Sequence, residues 1–334
     1  MNQKFFLNTI SRYFNTAALS PSDKILSAVS PAIPIFRNAS KIKNAFDKSE
    51  LPQNENNEAI FKIQKYAGKD NTALQIISYI QKYLSEDLEL AIVHGSIATD
   101  EKINYSDFDG LVVIKNEVFK SNTRIRYVAE HLSKSYSLMI MGDPLQHHGW
   151  FVLTEKDLLN WPCSYFPPVI FDYSRSLLGH DATIRIKTYD NCDDCVLSLN
   201  RMSLAIKKTL STGKFPDNAY QLKSLLSEFM LLPTLFIQAV TEKGIYKKNS
   251  FEAARTYFKH SEWQVMDDVS DIRSQWNINE GIKFSGNPVL ITPWIKKKQV
   301  RNSLGIPAEL KHKLSDKLLL EMLHLTDKFV SVPK

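Results

Sequence analysis

The chain has 334 residues, of which 43% are apolar, 23% are charged and 11% are aromatic. This apolar content is sufficient for one large hydrophobic core or two smaller ones, and it excludes a disordered or collagen-like chain. The 42 Lys and Arg residues exceed the 36 Asp and Glu residues by a formal charge of +6. That excess is compatible with an anionic ligand but is lower than expected for a protein dedicated to binding duplex nucleic acid.

The cysteine count and the apolar segments indicate the cellular compartment of the protein. Three cysteines are too few for a disulfide framework, and an odd number indicates a reducing compartment. The apolar segment from Phe229 to Val240 is shorter than the roughly 18 to 20 residues of a membrane span and is predicted to be a buried helix. We therefore expect a cytoplasmic protein with no membrane partner. Because Lys4 and Arg12 precede any acidic residue, an organelle transit peptide is the alternative for the N-terminal segment.

Composition divides the chain into three parts. Residues 1–57 are predicted to form a helical extension that ends in a polar linker containing Pro52. Residues 58–185 alternate between strand and helix patterns, which predicts an α/β (α+β) domain with a small mixed β-sheet and flanking helices. Residues 186–334 have apolar residues three and four positions apart, which predicts an α-helical C-terminal domain.

Within the α/β domain, length and apolar content indicate four strands. These are Leu88–Val93, Phe108–Ile114, Leu138–Met141 and His148–Leu153. Apolar residues at helical spacing predict one helix that begins near Thr72, with Thr72 or Asn71 as its N-cap, and another over Ile125–Tyr136.

Two acidic residues lie at the start of the most apolar predicted strand. Because side chains alternate along a strand, Asp107 and Asp109 are expected on one face and Phe108 on the other, in the core. Two carboxylates about 6 to 7 Å apart repel each other unless a cation lies between them. Mg²⁺ prefers such hard oxygen ligands together with substrate phosphates. The pair therefore predicts a site for Mg²⁺, or for Mn²⁺.

Gly95 and Ser96 follow the preceding predicted strand and have the chemistry of a phosphate contact. A residue without a side chain lets the backbone approach a phosphate, and Ser96 offers a hydroxyl and an N–H to the same oxygens. A phosphate contact and a metal site together predict a bound nucleoside triphosphate. The reaction that uses these parts is an in-line displacement at phosphorus.

Gly95-Ser96, a spacer of ten residues, Asp107-Phe108-Asp109 and an apolar strand together resemble the signature of the polymerase-beta-like nucleotidyltransferase superfamily. The resemblance extends over Leu88–Leu153, and the segment Tyr173–Asp181 is similar to one found in the small-molecule and minimal branch. It implies transfer of a nucleoside monophosphate from ATP or another NTP to an acceptor hydroxyl, with release of pyrophosphate. The acceptor class stays open among small molecules, tRNA, proteins and a second nucleotide.

The resemblance also implies a third carboxylate on a later strand. The predicted strand His148–Leu153 contains no acidic residue, and Asp143 lies five residues before it. Three interpretations stay open. Asp143 completes the site, His148 or His147 replaces it by accepting a proton or binding a metal, or the site binds a nucleotide without transferring it.

The C-terminal domain adds further candidates. In enzymes of this kind the helical domain commonly closes over the nucleotide, which implies a phosphate contact from Lys207 and Lys208 or from Lys247 and Lys248. Two other classes of function stay open: a catalytically inactive nucleotide-binding regulator or antitoxin-like partner, and an RNA-binding module that uses the basic residues Lys296–Lys298 and Arg301. The competing interpretation of these basic residues is a solvated helix face.

Overall fold

The structure is a computed structural model that describes residues 32–49, 57–159, 161, 166–188, 192–278 and 292–332, together with Ser22. Most of the predicted N-terminal extension and linker, including the candidate transit peptide, lies outside the described residues.

The described helices and strands form a mixed α+β fold, which confirms the predicted fold class. The first group is α1 (Ala32–Asp47), β1 (Asn57–Ile63), α2 (Asn71–Tyr83), β2 (Leu88–His94), β3 (Asp109–Ile114), α3 (Asn122–Gly142), β4 (Phe151–Thr154), α4 (Glu155–Leu158), β5 (Arg175–Ser176) and β6 (Ala182–Thr188). The second group is α5 (Cys192–Leu210), α6 (Ala219–Phe229), α7 (Leu232–Thr241), α8 (Lys247–Arg255), α9 (His260–Ser274), α10 (Thr292–Ser303), α11 (Ala308–Lys311) and α12 (Asp316–Ser331). Short 3₁₀ helices are formed by Gly95–Ile97, Asn116–Lys120 and Pro168–Tyr173.

The central sheet has the strand order β4-β3-β2-β5. Strand β2 is antiparallel to β3 and β5, whereas β3 is parallel to β4. The register pairs His94 with Asp109, so Gly95, the residue after β2, lies beside the start of β3. Strands β1 and β6 form a separate antiparallel pair.

Alternate residues of β3 pack into two different apolar clusters. Val112 and Ile114 join a core formed with α1, α2 and α3, whereas Leu111 and Val113 face a core that contains residues of β1 and β6. Burial on both faces explains why this strand is continuously apolar in sequence. Helices α5 to α12 contribute most of a third core, to which Tyr105 of the preceding part also belongs.

The structure corrects the predicted strand over Leu138–Met141, because these residues form the last turns of α3. Leu and Met favour a helix, and Ile140 follows Tyr136 at a spacing of four on the buried face. The later strand is also shorter than predicted, since it begins at Phe151 rather than at His148. The N-cap of α2 is Asp70, whose carboxylate accepts a hydrogen bond from Ala73 N at 2.9 Å, and not Thr72 or Asn71.

One described segment, Ala219–Thr241, is long and apolar enough to cross a membrane by length and composition alone. Buried core helices pass the same test, and 61% of the apolar window is buried inside the protein. The structure divides the segment into α6 and α7, and Pro233 and Gln238 of α7 are both buried.

Gly110→Ala is expected to lower the free energy of unfolding by about 1–3 kcal/mol. A Cβ at this position would lie 2.5 Å from Cζ3 of Trp150, and that ring is held by a hydrogen bond from Nε1 to Ser135 Oγ. Gly305→Ala is the control, because its Cβ would meet no atom within 4 Å. Urea unfolding of both variants measures the difference, and equal stability would contradict this packing.

Candidate functional site

The Gly-Ser bend lies directly against one of the two predicted carboxylates. Gly95 has a φ of +69°, a conformation that disfavours a side chain, and a Cβ there would lie 2.8 Å from Asp109 Oδ2. Ser96 follows in a 3₁₀ helix and is partly exposed, and its hydroxyl has no hydrogen-bond partner among the described residues. The register of β2 and β3 thus places the bend and Asp109 side by side.

Asp107 precedes β3 and is held by two other parts of the chain. Its Oδ1 accepts a hydrogen bond from Lys223 Nζ at 2.6 Å, and its Oδ2 lies 3.0 Å from His147 Nδ1. Burial disfavours the charged carboxylate, but the charge of Lys223 and the contact with His147 outweigh it and lower the pKa of Asp107. Asp107 is therefore ionised and already has cationic or donor partners.

The surroundings of the Asp109 carboxylate differ from those of Asp107. No described residue donates a hydrogen bond to the Asp109 carboxylate. Burial, and next the charge of Asp107, raise the pKa of Asp109 to about 6. A carboxylate that lacks a donor and lies next to a second carboxylate is a position where a bound cation would be stabilising.

Asp143 caps the C-terminus of α3 and does not lie on a strand. Its Oδ1 accepts a hydrogen bond from Leu145 N at 2.8 Å, and its Oδ2 accepts one from Lys223 Nζ at 2.6 Å. Asp143 therefore shares Lys223 with Asp107, and both of its oxygens are engaged.

The two histidines before β4 lie beside the carboxylates, because β4 pairs Phe151 with Leu111 of β3. His147 contacts Asp107 through Nδ1, and its Nε2 is buried without a partner in the described chain. His148 is exposed, and its ring centroid lies 5.4 Å from that of Phe151. Desolvation by the surrounding protein lowers the pKa of His148, and the charges of Asp109 and Asp107 oppose this shift without reversing it.

Gln146 is a site residue that the sequence analysis missed. Its Oε1 accepts a hydrogen bond from Phe108 N at 2.8 Å, and its Nε2 donates to Phe108 O at 2.8 Å and to His148 O at 2.9 Å. The side chain is completely buried. Gln146 therefore holds the backbone between Asp107 and Asp109, and Phe108 packs into the core as expected.

Lysines and arginines of the helical part lie close to the carboxylates. Burial, and next the charge of Arg273, lower the pKa of Lys247 to about 8. Burial, and next the charge of Arg301, lower the pKa of Lys297 to about 7. The charge of Asp107 acts on both lysines, which places them in the same electrostatic environment.

The structure does not bring Lys207 and Lys208 to this cluster. Lys207 forms an ion pair with Asp327 of α12, and Lys208 is exposed. Neither charge contributes to the pKa shifts of Asp107 or Asp109. The basic segment of α10 also differs from a solvated face, since Lys297 is buried and donates a hydrogen bond to Tyr136 Oη.

No family model, no curated protein and no solved structure matches the chain. The resemblance to nucleotidyltransferases therefore depends on Gly95-Ser96 and Asp107-Phe108-Asp109 and on where these residues lie in the fold.

Asp109→Asn is expected to raise the free energy of unfolding by about 1–3 kcal/mol at pH 7.5 in EDTA. Folding raises the pKa of Asp109 from 3.8 to about 6, so the ionised carboxylate destabilises the folded state above pH 6. The destabilisation disappears as the pH falls toward 4, because Asp109 is then protonated. The stability difference between the Asp109→Asn variant and the native protein should disappear with it. Thermal unfolding across this pH range measures the effect.

Asp107→Asn is the matched control for this prediction. It removes a carboxylate that is paired with Lys223 and should lower the stability at pH 7.5. Equal effects of the two substitutions would contradict the different environments of Asp107 and Asp109.

Proposed function

We propose that the protein is a Mg²⁺-dependent nucleotidyltransferase that moves a nucleoside monophosphate from ATP or another NTP to an acceptor hydroxyl and releases pyrophosphate. The observation that supports this most is the position of Asp109. Its carboxylate lacks a hydrogen-bond donor among the described residues, lies beside Asp107 and occupies the space next to Gly95 that a side chain would fill. A divalent cation with a bound triphosphate would neutralise the carboxylates. Its phosphate oxygens would accept hydrogen bonds from the Gly-Ser bend and the surrounding lysines.

The residues present fit a magnesium ion. Mg²⁺ commonly takes one or two protein carboxylates and completes its shell with water and substrate phosphates. Asp109 is free to bind it, and each oxygen of Asp107 has a second lone pair beside its present contact. Within the described ranges, no three His, Cys, Asp or Glu residues are grouped as a metal site, so the remaining ligands would come from nucleotide and water. When bound, the ion supplies charge neutralisation at the phosphates.

The triphosphate would meet an excess of positive charge. Among the described residues, Lys223, Lys247 and Lys297 interact electrostatically with the carboxylates. Arg273 and Arg301 lie in the electrostatic surroundings of Lys247 and Lys297. In the described part of the chain, Lys247 Nζ donates to no acceptor, and Nε of Arg273 is buried without one. Donors left unpaired beside a glycine that permits close approach are suited to phosphate oxygens.

His147 is the group best placed to accept the proton of the acceptor hydroxyl. In the neutral tautomer that donates from Nδ1 to Asp107, the lone pair is on Nε2, which has no partner among the described residues. Asp143 is less suited, because both of its oxygens are engaged. The remaining work of the chain is to position the reactants for in-line displacement.

A second candidate function is nucleotide binding without transfer. The strand parallel to β3 has no acidic residue, and Asp143 is occupied by Lys223. A protein with this site would bind Mg²⁺ and an NTP and act as a regulator or antitoxin-like partner.

The double variant Asp107→Asn/Asp109→Asn is expected to abolish Mg²⁺-dependent pyrophosphate release, because it removes both carboxylates that would hold the ion. Transfer of label from [α-³²P]NTP to candidate small-molecule, tRNA and protein acceptors measures the activity. Asp327→Asn is the control, since this residue pairs with Lys207 outside the cluster. Turnover by the double variant would reject the proposal, and binding without transfer by the native protein would favour the second candidate.

Lys247→Met and Lys297→Met are each expected to weaken the binding of α,β-methylene-ATP by about 10- to 100-fold, because each removes a partly desolvated cation. Lys208→Met is the exposed control and should leave the affinity unchanged. Binding should also take up protons at pH 7.5, since phosphate charge raises the lowered pKa values of both lysines. Calorimetry in two buffers of different ionisation enthalpy measures affinity and proton uptake, and proton release would contradict this assignment.

A further inference from the structure

Lys223 occupies an unusual place for a lysine. It lies on the buried side of α6, four residues after Ala219 and three before Leu226, and both of these residues are buried in the helical core. Its side chain is 0% exposed. A lysine in the apolar stripe of a helix is costly unless its charge is matched, so its partners identify its role.

The partners of Lys223 are two carboxylates from the α/β part of the chain. Its Nζ lies 2.6 Å from Asp107 Oδ1 and 2.6 Å from Asp143 Oδ2. The ammonium lies 5.4 Å from the centroid of the Tyr105 ring, and Tyr105 Oη donates a hydrogen bond to the main-chain oxygen of Lys223 at 2.6 Å. The lysine is therefore held at both its backbone and its charged end.

We infer that Lys223 is a resident cation that takes the place of a second divalent metal ion, so that the site binds one metal ion and not two. This inference rests on the proposed function. Phosphoryl and nucleotidyl transfer often uses two metal ions held by shared carboxylates. Here Asp107 and Asp143 already share one positive charge that belongs to the chain.

A second metal ion would have to displace Lys223 or bind beside it. Displacement is opposed because the side chain is fully buried and its helix is packed in the core. Binding beside it is opposed by the repulsion between like charges, and the charge of Lys297 also acts on Asp143 and Asp107. Asp109 has no such cation hydrogen-bonded to it within the described chain, so the single metal ion is assigned to the Asp109 side of the pair.

The test counts bound Mn²⁺ per chain by equilibrium dialysis with electron paramagnetic resonance detection, in the presence of saturating α,β-methylene-ATP. Nucleotidyl transfer breaks the bond between the α-phosphorus and the oxygen that bridges it to the β-phosphorus. The analogue has a methylene group in place of that oxygen, so it stays intact. The native protein is expected to bind one Mn²⁺. Two ions would overturn the inference and leave the proposed function standing, whereas no bound ion would overturn the proposed function and the inference with it.

Variants of Lys223 separate its role from simple packing. Lys223→Met keeps much of the volume but leaves Asp107 and Asp143 without their shared cation, and it is expected to raise the count from one Mn²⁺ to two. The matched variant Lys223→Met/Asp143→Asn removes one of these carboxylates and should return the count to one. A folded Lys223→Met that still binds one ion would show that Lys223 does not exclude a second. Should Lys223→Met not fold, the count for the native protein decides the inference.

Discussion

A buried ammonium shared by two carboxylates joins the α/β part of this protein to its helical part. Lys223 of α6 lies between Asp107, which precedes β3, and Asp143, which ends α3. Such an ion pair is stable only when all its members are present, because removal of one leaves a buried charge without compensation. The position of Asp107, and through it that of His147, therefore depends on correct packing of the helical part.

The second constraint is the register of β2 and β3. Pairing of His94 with Asp109 places Gly95 beside the carboxylate, and the absence of a side chain at Gly95 gives Asp109 its space. Asp107 and Asp109 are neighbours in sequence but differ in environment, since Asp107 has two partners and Asp109 has no hydrogen-bond donor in the described chain. This difference supports the assignment of the metal ion to the Asp109 side of the pair, while Asp107 also holds Lys223 and His147.

The local parts of the site could be predicted from the sequence, whereas its long-range parts could not. The strand predicted over Phe108–Ile114, which begins at Asp109 in the structure, the turn at Gly95 and the inward position of Phe108 follow from side-chain alternation and glycine chemistry. Lys223 is far from Asp107 in sequence, and only tertiary packing brings them together. A lysine at helical spacing from buried apolar residues was nevertheless a signal that could have identified it. The same signal applies to Lys297, three residues before the buried Val300.

The side chain of Gln146 has a consequence for the end of the central sheet. A carboxamide offers the same donor and acceptor as a peptide group, and Gln146 uses both on the main chain of Phe108. It acts as a one-residue substitute for a neighbouring strand where regular pairing with β4 has not yet begun. The strand end is thereby protected from fraying, and the sheet is in effect extended by a side chain to the point where the acidic residues begin.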